Sequence, residues 1–205
     1  MLHILTEGGV FMIPLMLGSA IAVGIAMERA LLFAKFSSTG PAFRQELGRL
    51  LDSGDLDGAR KLAGGEGPAR GCALAAIEHW GCKQDIVEAA MSAQAKEYEP
   101  MLNRFLGILE TIVTAAPLIG LLGTITGMMS VFRTVALKLA NDPHANTTGI
   151  TAGIGEALVA TATGIFVAVL ALFIHNAFQG LAENRMAEAE QTAETIRLAY
   201  AKKSA

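Results

Sequence analysis

The chain has 205 residues, of which 52% are hydrophobic and 17% charged, a balance far from that of a water-soluble domain of this length. Its net charge of −3 is too small to argue for nucleic acid or for a strongly anionic partner. The two cysteines, Cys72 and Cys82, form neither a disulfide framework nor a zinc signature, and both are read as small apolar packing residues.

Three uncharged apolar runs account for the composition: Val10 to Ala26, Thr111 to Phe132 and Ala157 to Phe178. Each is near the length of about 20 residues that a bilayer-spanning helix needs. The first has no basic residue ahead of it, only His3 and Glu7, and no small-residue cleavage site before Glu28–Arg29. It therefore reads as a retained helix and not as a signal peptide. Its bulky residues Phe11, Ile13, Leu15, Met16 and Leu17 are expected to face lipid. Segment 1–9 is expected outside the membrane, 10–33 as the first span and 34–104 as a cytoplasmic helical loop. The second span is expected at 105–135, an outer loop at 136–152, the third span at 153–178 and a cytoplasmic helical tail at 179–205. Basic residues set this orientation: none precedes the first span, ten lie between Arg29 and Arg104, and Arg185, Arg197, Lys202 and Lys203 follow the third span. Between the second and third apolar runs there are only two, Arg133 and Lys138, and His144 lies in the outer loop.

Within the loop, Pro41 suits a first helical position and Gly54 a helix end. Asp55 suits the cap of a helix from Leu56 to Ala63, and the turn at 64–68 separates it from a helix ending near Gly81. From Asp85 a helical pattern runs toward the second span, with Pro100 expected to kink or restart it. The tail places Leu181, Met186, Ala189, Ala193, Ile196 and Tyr200 at helical spacing. No strand pattern stands out, so the fold class is all-α: an integral membrane protein with three transmembrane helices whose long helices extend into a cytoplasmic bundle.

On a helical wheel of the second span, Ala116, Pro117, Gly120, Gly123, Thr124 and Gly127 fall within about a third of the circumference. Gly123 and Gly127 form a small-xxx-small pair that lets helices approach closely. Pro117 has no N–H and frees a carbonyl one turn earlier. In the third span, Glu156, Ala157, Ala160, Thr161, Thr163, Gly164, Ala168, Ala171 and His175 share one face, opposite Leu158, Val159, Phe166, Val169 and Phe173. Polar groups at a membrane segment are costly, about 2.5–3.5 kcal/mol for a charge at the helix centre. Thr124, Glu156 and Thr161 are the polar positions to account for; taken alone, the second span supports close packing, with its threonines bonded to their own backbone, more strongly than ion conduction. Ala116, Pro117, Gly120, Gly123, Gly127, Ala160, Thr163 and Gly164 are the candidate packing and pore-lining positions. Because two faces of small residues exceed what three spans can bury among themselves, several copies are expected.

The run from Ala115 to Thr124 resembles the second-helix signature of the ExbB/TolQ/MotA proton-channel family. The run from Gly153 to Gly164 resembles its third-helix signature, Asn176 matches an Asn near the end of that helix, and Glu28–Arg29 resembles the charged pair ending the first. With three spans and no fourth, the chain is most similar to the ExbB/TolQ type, although Leu170 stands where many members have proline. By position, Thr124, Glu156 and Thr161 correspond to the family's polar pore residues, so the resemblance makes them the candidate ion pathway, and it implies a homo-oligomer, a pentamer, around an ExbD/TolR-type single-span partner that supplies an Asp, with a TonB- or TolA-type protein beyond it. It implies a subunit of the bacterial inner membrane that turns the proton-motive force into mechanical work on periplasmic or outer-membrane processes, of TonB-dependent or Tol–Pal type. No cofactor, metal or nucleic acid is implied; membrane lipid is the remaining contact. No nucleophile elbow, P-loop, metal-ligand cluster or carboxylate pair marks an enzyme. The competing reading is a non-conducting membrane scaffold.

Overall fold

The computed structural model describes residues 9–36, 38–141 and 149–204. The expected outer N-terminus, except Gly9, and residues 142–148 of the outer loop with His144 lie outside this set. The described elements are seven α-helices: α1 (Met12–Lys35), α2 (Pro41–Ser53), α3 (Leu56–Leu62), α4 (Pro68–Glu78), α5 (Gln84–Asn103), α6 (Leu106–Asn141) and α7 (Gly149–Ser204). Three stretches, within Met12–Lys35, Gln84–Leu137 and Gly153–Lys203, are helical, long and apolar enough to cross a membrane. The chain divides into two compact units.

The first unit comprises residues 1–27 and 105–176, and its organising feature is the contact between α6 and α7. A Cβ added at Gly164 would fall 2.6 Å from the Ala116 carbonyl oxygen, and one at Gly120 would fall 3.0 Å from both the Ala160 oxygen and the Thr161 Cα. At Gly123 and Gly127 the added carbon would sit 2.7 Å and 2.9 Å from the Cβ atoms of Ala160 and Ala157. The distances at Gly164, Gly123 and Gly127 are shorter than real Cβ contacts and those at Gly120 are at the tight limit, so the helices meet at a separation that favours glycine at all four positions. The wheel placed these residues on the packing faces, and Ala157, Ala160, Ala168 and Ala171 are buried while Leu158, Phe166 and Phe173 are exposed. Val167 joins the buried side. The two small-residue faces thus bury each other within one chain and do not by themselves require several copies. Of the α1 residues expected to face lipid, Ile13, Met16 and Leu17 are exposed, but Leu15 is fully buried. Leu15 and Met12 pack with Ala116, Val167 and Ala168, because the small residues of α6 and α7 leave room that only a bulky side chain from α1 fills.

The second unit comprises residues 28–104 and 177–205. Its loop punctuation is as the residues suggest. Pro41 opens α2, Gly54 ends it in the left-handed region at φ 77°, and the Asp55 carboxylate caps α3 by accepting from the Gly58 N–H at 2.9 Å. Leu47, Leu51, Ala73, Ala76, Val87 and Ile196 lie in its main core. A second cluster stacks Phe33 on Phe178 at 5.8 Å and sets Phe36 edge-on to Tyr98 at 5.9 Å. Cys72 is buried against Ala69 and Ala189, and burial pushes its thiol up to about 11, so it is an inert packing group. Cys82, by contrast, is exposed, since it follows the left-handed Gly81 in the turn before α5.

Pro100 does not break its helix. It sits exposed inside α5, where the Lys96 carbonyl that loses a donor can turn to solvent. The chain leaves α5 at Arg104 and passes through Phe105 at φ 66°, a conformation rarely taken by a residue with a side chain. The last carbonyls of α5 lack helical donors and receive them from Arg29. Its buried guanidinium donates through Nη1 to the Met101 oxygen at 2.8 Å and to the Leu102 oxygen at 3.3 Å. Nε and Nη2 grip Glu28 at 2.5 Å and 2.8 Å. A buried charge with its hydrogen bonds in place is tolerated, whereas one left unpaired costs several kcal/mol.

Two predictions follow from this packing. Gly164→Ala should destabilise the detergent-solubilised protein by an overpacking cost of about 1–3 kcal/mol, read as a lower Tm. Gly107→Ala, where nothing lies within 4 Å of the added carbon, should be neutral or stabilise by up to about 1 kcal/mol; equal losses in the two variants would refute the close-approach account. The second concerns Glu188, which accepts from Ser38 Oγ at 2.7 Å and from the Thr39 N–H and Oγ1 at 3.1 Å. Burial raises its carboxyl, but these bonds and the Arg185 charge outweigh burial and hold it below the usual carboxylate range. The strap is therefore at full strength above the unfolded-state carboxyl value and weakens as pH falls through the folded-state value. Wild type should lose more Tm than Glu188→Gln between about pH 7 and about pH 3.

Candidate ion pathway

The hydroxyls of the two packed helices do two different things. Thr161, on α7, reaches across the seam and donates from Oγ1 to the Gly120 carbonyl of α6 at 2.9 Å. That carbonyl is open to a neighbouring helix because Gly120 has no side chain to cover it. Thr124, half-buried, donates to the Leu121 oxygen of its own helix at 2.7 Å. Thr163 and Thr126 likewise donate to the Val159 and Leu122 oxygens, each at 2.8 Å. A membrane hydroxyl with no water beside it satisfies its hydrogen on the nearest carbonyl. Each of these oxygens keeps lone pairs and remains an acceptor.

The seam brings together Ala116, Gly120, Gly123 and Gly127 of α6 with Ala157, Ala160, Thr161 and Gly164 of α7. Pro117 lies half-buried within an unbroken α6. Thr124 and Thr163 flank the contact, and among the described residues neither is hydrogen-bonded to the opposite helix. Glu156 belongs to the α7 backbone, but its side chain lies outside those described. His175, at the other end of the unit, has Nδ1 3.2 Å from the Leu106 oxygen in the first turn of α6. The Gly120 carbonyl is the one site atom that residue-type reasoning missed. The signal available for it was a glycine facing a threonine across a close helix pair.

Between Thr111 and Phe132 on α6, and between Ala157 and Phe178 on α7, there are hydroxyls and one histidine but no acid. Hydroxyls and carbonyls can coordinate or pass a cation, but they do not hold a proton through a cycle. Among the described residues no group of His, Cys, Asp and Glu could hold a metal ion.

Residues 66–191 match the MotA/TolQ/ExbB proton channel family. The biopolymer transport protein ExbB-like 3 of Synechocystis is 31% identical over 194 residues, covering 94% of this chain and 91% of that one. The Tol-Pal system protein TolQ of Pseudomonas aeruginosa is 36% identical over 97 residues, 47% of this chain and 40% of its own. The biopolymer transport protein ExbB of Pseudomonas putida is 29% identical over 153 residues, 66% of this chain and 43% of its own. Three membrane-length helices, the glycine-bearing contact of the last two and these matches together make the chain a member of the MotA/TolQ/ExbB proton channel family.

Proposed function

We propose that this chain is the ion-pathway subunit of a membrane motor. With an ExbD/TolR-type single-span partner, it converts the proton-motive force into work on periplasmic or outer-membrane processes of TonB-dependent or Tol–Pal type. The observation that carries the reading is the hydroxyl-lined but acid-free membrane stretch of α6 and α7. A chain of this composition can coordinate a cation but needs a carboxylate from elsewhere, and an Asp on the partner's helix supplies it. The membrane potential offers about 2.3 kcal/mol per charge per 100 mV, enough to bias a packed assembly between two arrangements. Thr124, Glu156 and Thr161 form the pathway on this side. Ala116, Pro117, Gly120, Gly123, Gly127, Ala160, Thr163 and Gly164 set its walls. The chain sits in the inner membrane with its N-terminus outside and residues 34–104 and 179–205 in the cytoplasm, as the basic residues favour. It works as a homo-oligomer, a pentamer by analogy with the family, and a TonB- or TolA-type protein receives the motion.

A second reading, a non-conducting scaffold, draws on one observation. The hydroxyls of Thr124, Thr126, Thr161 and Thr163 all rest on backbone carbonyls, as purely structural hydroxyls do.

Valine at Thr124 or Thr161 keeps the volume and deletes the oxygen, so it separates the two readings. Activity in the host system should fall sharply in each single variant while the oligomer mass by native mass spectrometry stays unchanged. Full activity in both singles and the double variant establishes the scaffold. Glu156→Ala should impair activity more than Glu156→Gln, because it removes both the ionisable group and its volume. A fully active Gln variant shows that charge at this position is dispensable.

A further inference from the structure

One acid stands at the edge of the acid-free stretch of α6. Glu110 is exposed, and its carboxylate has no hydrogen-bond or ion-pair partner among the described residues. At about 100° per residue, Thr114, Pro117, Leu121 and Thr124 all lie within about 40° of it on the helix. Along this stripe every polar atom is an acceptor. Thr114 Oγ1 spends its hydrogen on the Thr111 oxygen at 3.0 Å and the Glu110 oxygen at 3.2 Å. Thr124 Oγ1 spends its hydrogen on the Leu121 oxygen at 2.7 Å. Pro117, lacking an N–H, leaves the Val113 carbonyl without its helical donor, and that carbonyl lies beside the same stripe. A threonine whose hydrogen is committed offers only lone pairs, as do a free carbonyl and a carboxylate. Such a row attracts cations and hydronium and repels anions.

We propose that this stripe is the second half of the cation path, with Glu110 as the acceptor at its end about 21 Å along α6 from Thr124. The inference rests on the conducting reading above. Hydronium arriving along the row gives its proton to the Glu110 carboxylate, leaving water and a carboxylic acid. The acid then gives the proton to water beyond the first turn of α6, and the carboxylate is restored. A sodium ion would use the same oxygens by coordination, with no bond broken. The competing account makes Glu110 a solvated boundary charge that complements the amino-terminal end of the α6 dipole. In that case its charge matters to helix stability and not to flux.

The test is ion flux through liposomes holding the chain co-purified with its partner, driven by an imposed potential. Flux is read with a pH-sensitive dye in sodium-free buffer and with a sodium indicator in sodium buffer. Glu110→Gln should cut flux by about a hundredfold, the scale of losing a positioned proton acceptor, while Glu110→Asp conducts and both keep the wild-type oligomer mass. Loss in the sodium-free arm assigns the proton, and loss confined to the sodium arm assigns sodium. Full flux through Glu110→Gln overturns the proposal. If Glu110→Gln does not assemble, Thr114→Val carries the test: reduced flux supports the path and full flux overturns it. If Thr124→Val and Thr161→Val lose flux while Glu110→Gln does not, only this inference falls. A wild-type complex that carries neither ion overturns the conducting reading with it.

Discussion

The close approach of α6 and α7 sets the terms for the rest of the membrane unit. Lipid tails are as apolar as leucine, so helices in a bilayer gain nothing simply by hiding hydrophobic side chains from water. What holds them is dense van der Waals contact and hydrogen bonds that cross between helices. Gly120, Gly123, Gly127 and Gly164 let the two helices touch along about three turns of α6, and at that separation the Thr161 hydroxyl reaches the Gly120 carbonyl. The buried Leu15 and Met12 of α1 depend on the same contact, since they pack against the shallow surface that Ala116 and Ala168 leave.

The chemistry available to the unit follows from the same economy. Every hydroxyl near the seam is already bonded to a carbonyl, so the helices present oxygen lone pairs and few hydrogens. Such a surface suits a cation and offers nothing to an anion. Within the apolar stretches it also lacks a carboxylate that could alternate between charged and neutral. Family membership and this composition agree on a proton-channel protein whose last two apolar stretches carry hydroxyls and no carboxylate of their own.

The second unit obeys the rules of a water-soluble helical bundle. Leucine, isoleucine and methionine fill its main core, caps close its short helices, and charged groups are paired where they are buried. Arg29 shows how a polar residue becomes structural: the frayed end of α5 has carbonyls to satisfy, and the guanidinium has donors to place. Glu188 does the same for the loop before α2.

Read as residues alone, the chain declares its three membrane-length helices, the glycine and alanine faces of the last two, and the caps at Gly54 and Asp55. These are properties of local periodicity and of single residue types, and they hold whatever the neighbours do. It also shows that no acid lies within the apolar stretches of α6 and α7. Three matters depended on neighbours and could not be read this way. Leu15 is buried because the facing helices are thin, although its own helix looks uniformly apolar. Pro100 stays inside α5 because it faces solvent, and the break falls at Phe105, where no proline or glycine marks it. The small faces of α6 and α7 meet each other within one chain, because close packing is a property of two surfaces at once. Periodicity says which face of a helix seeks a partner; only the folded chain decides which partner it finds.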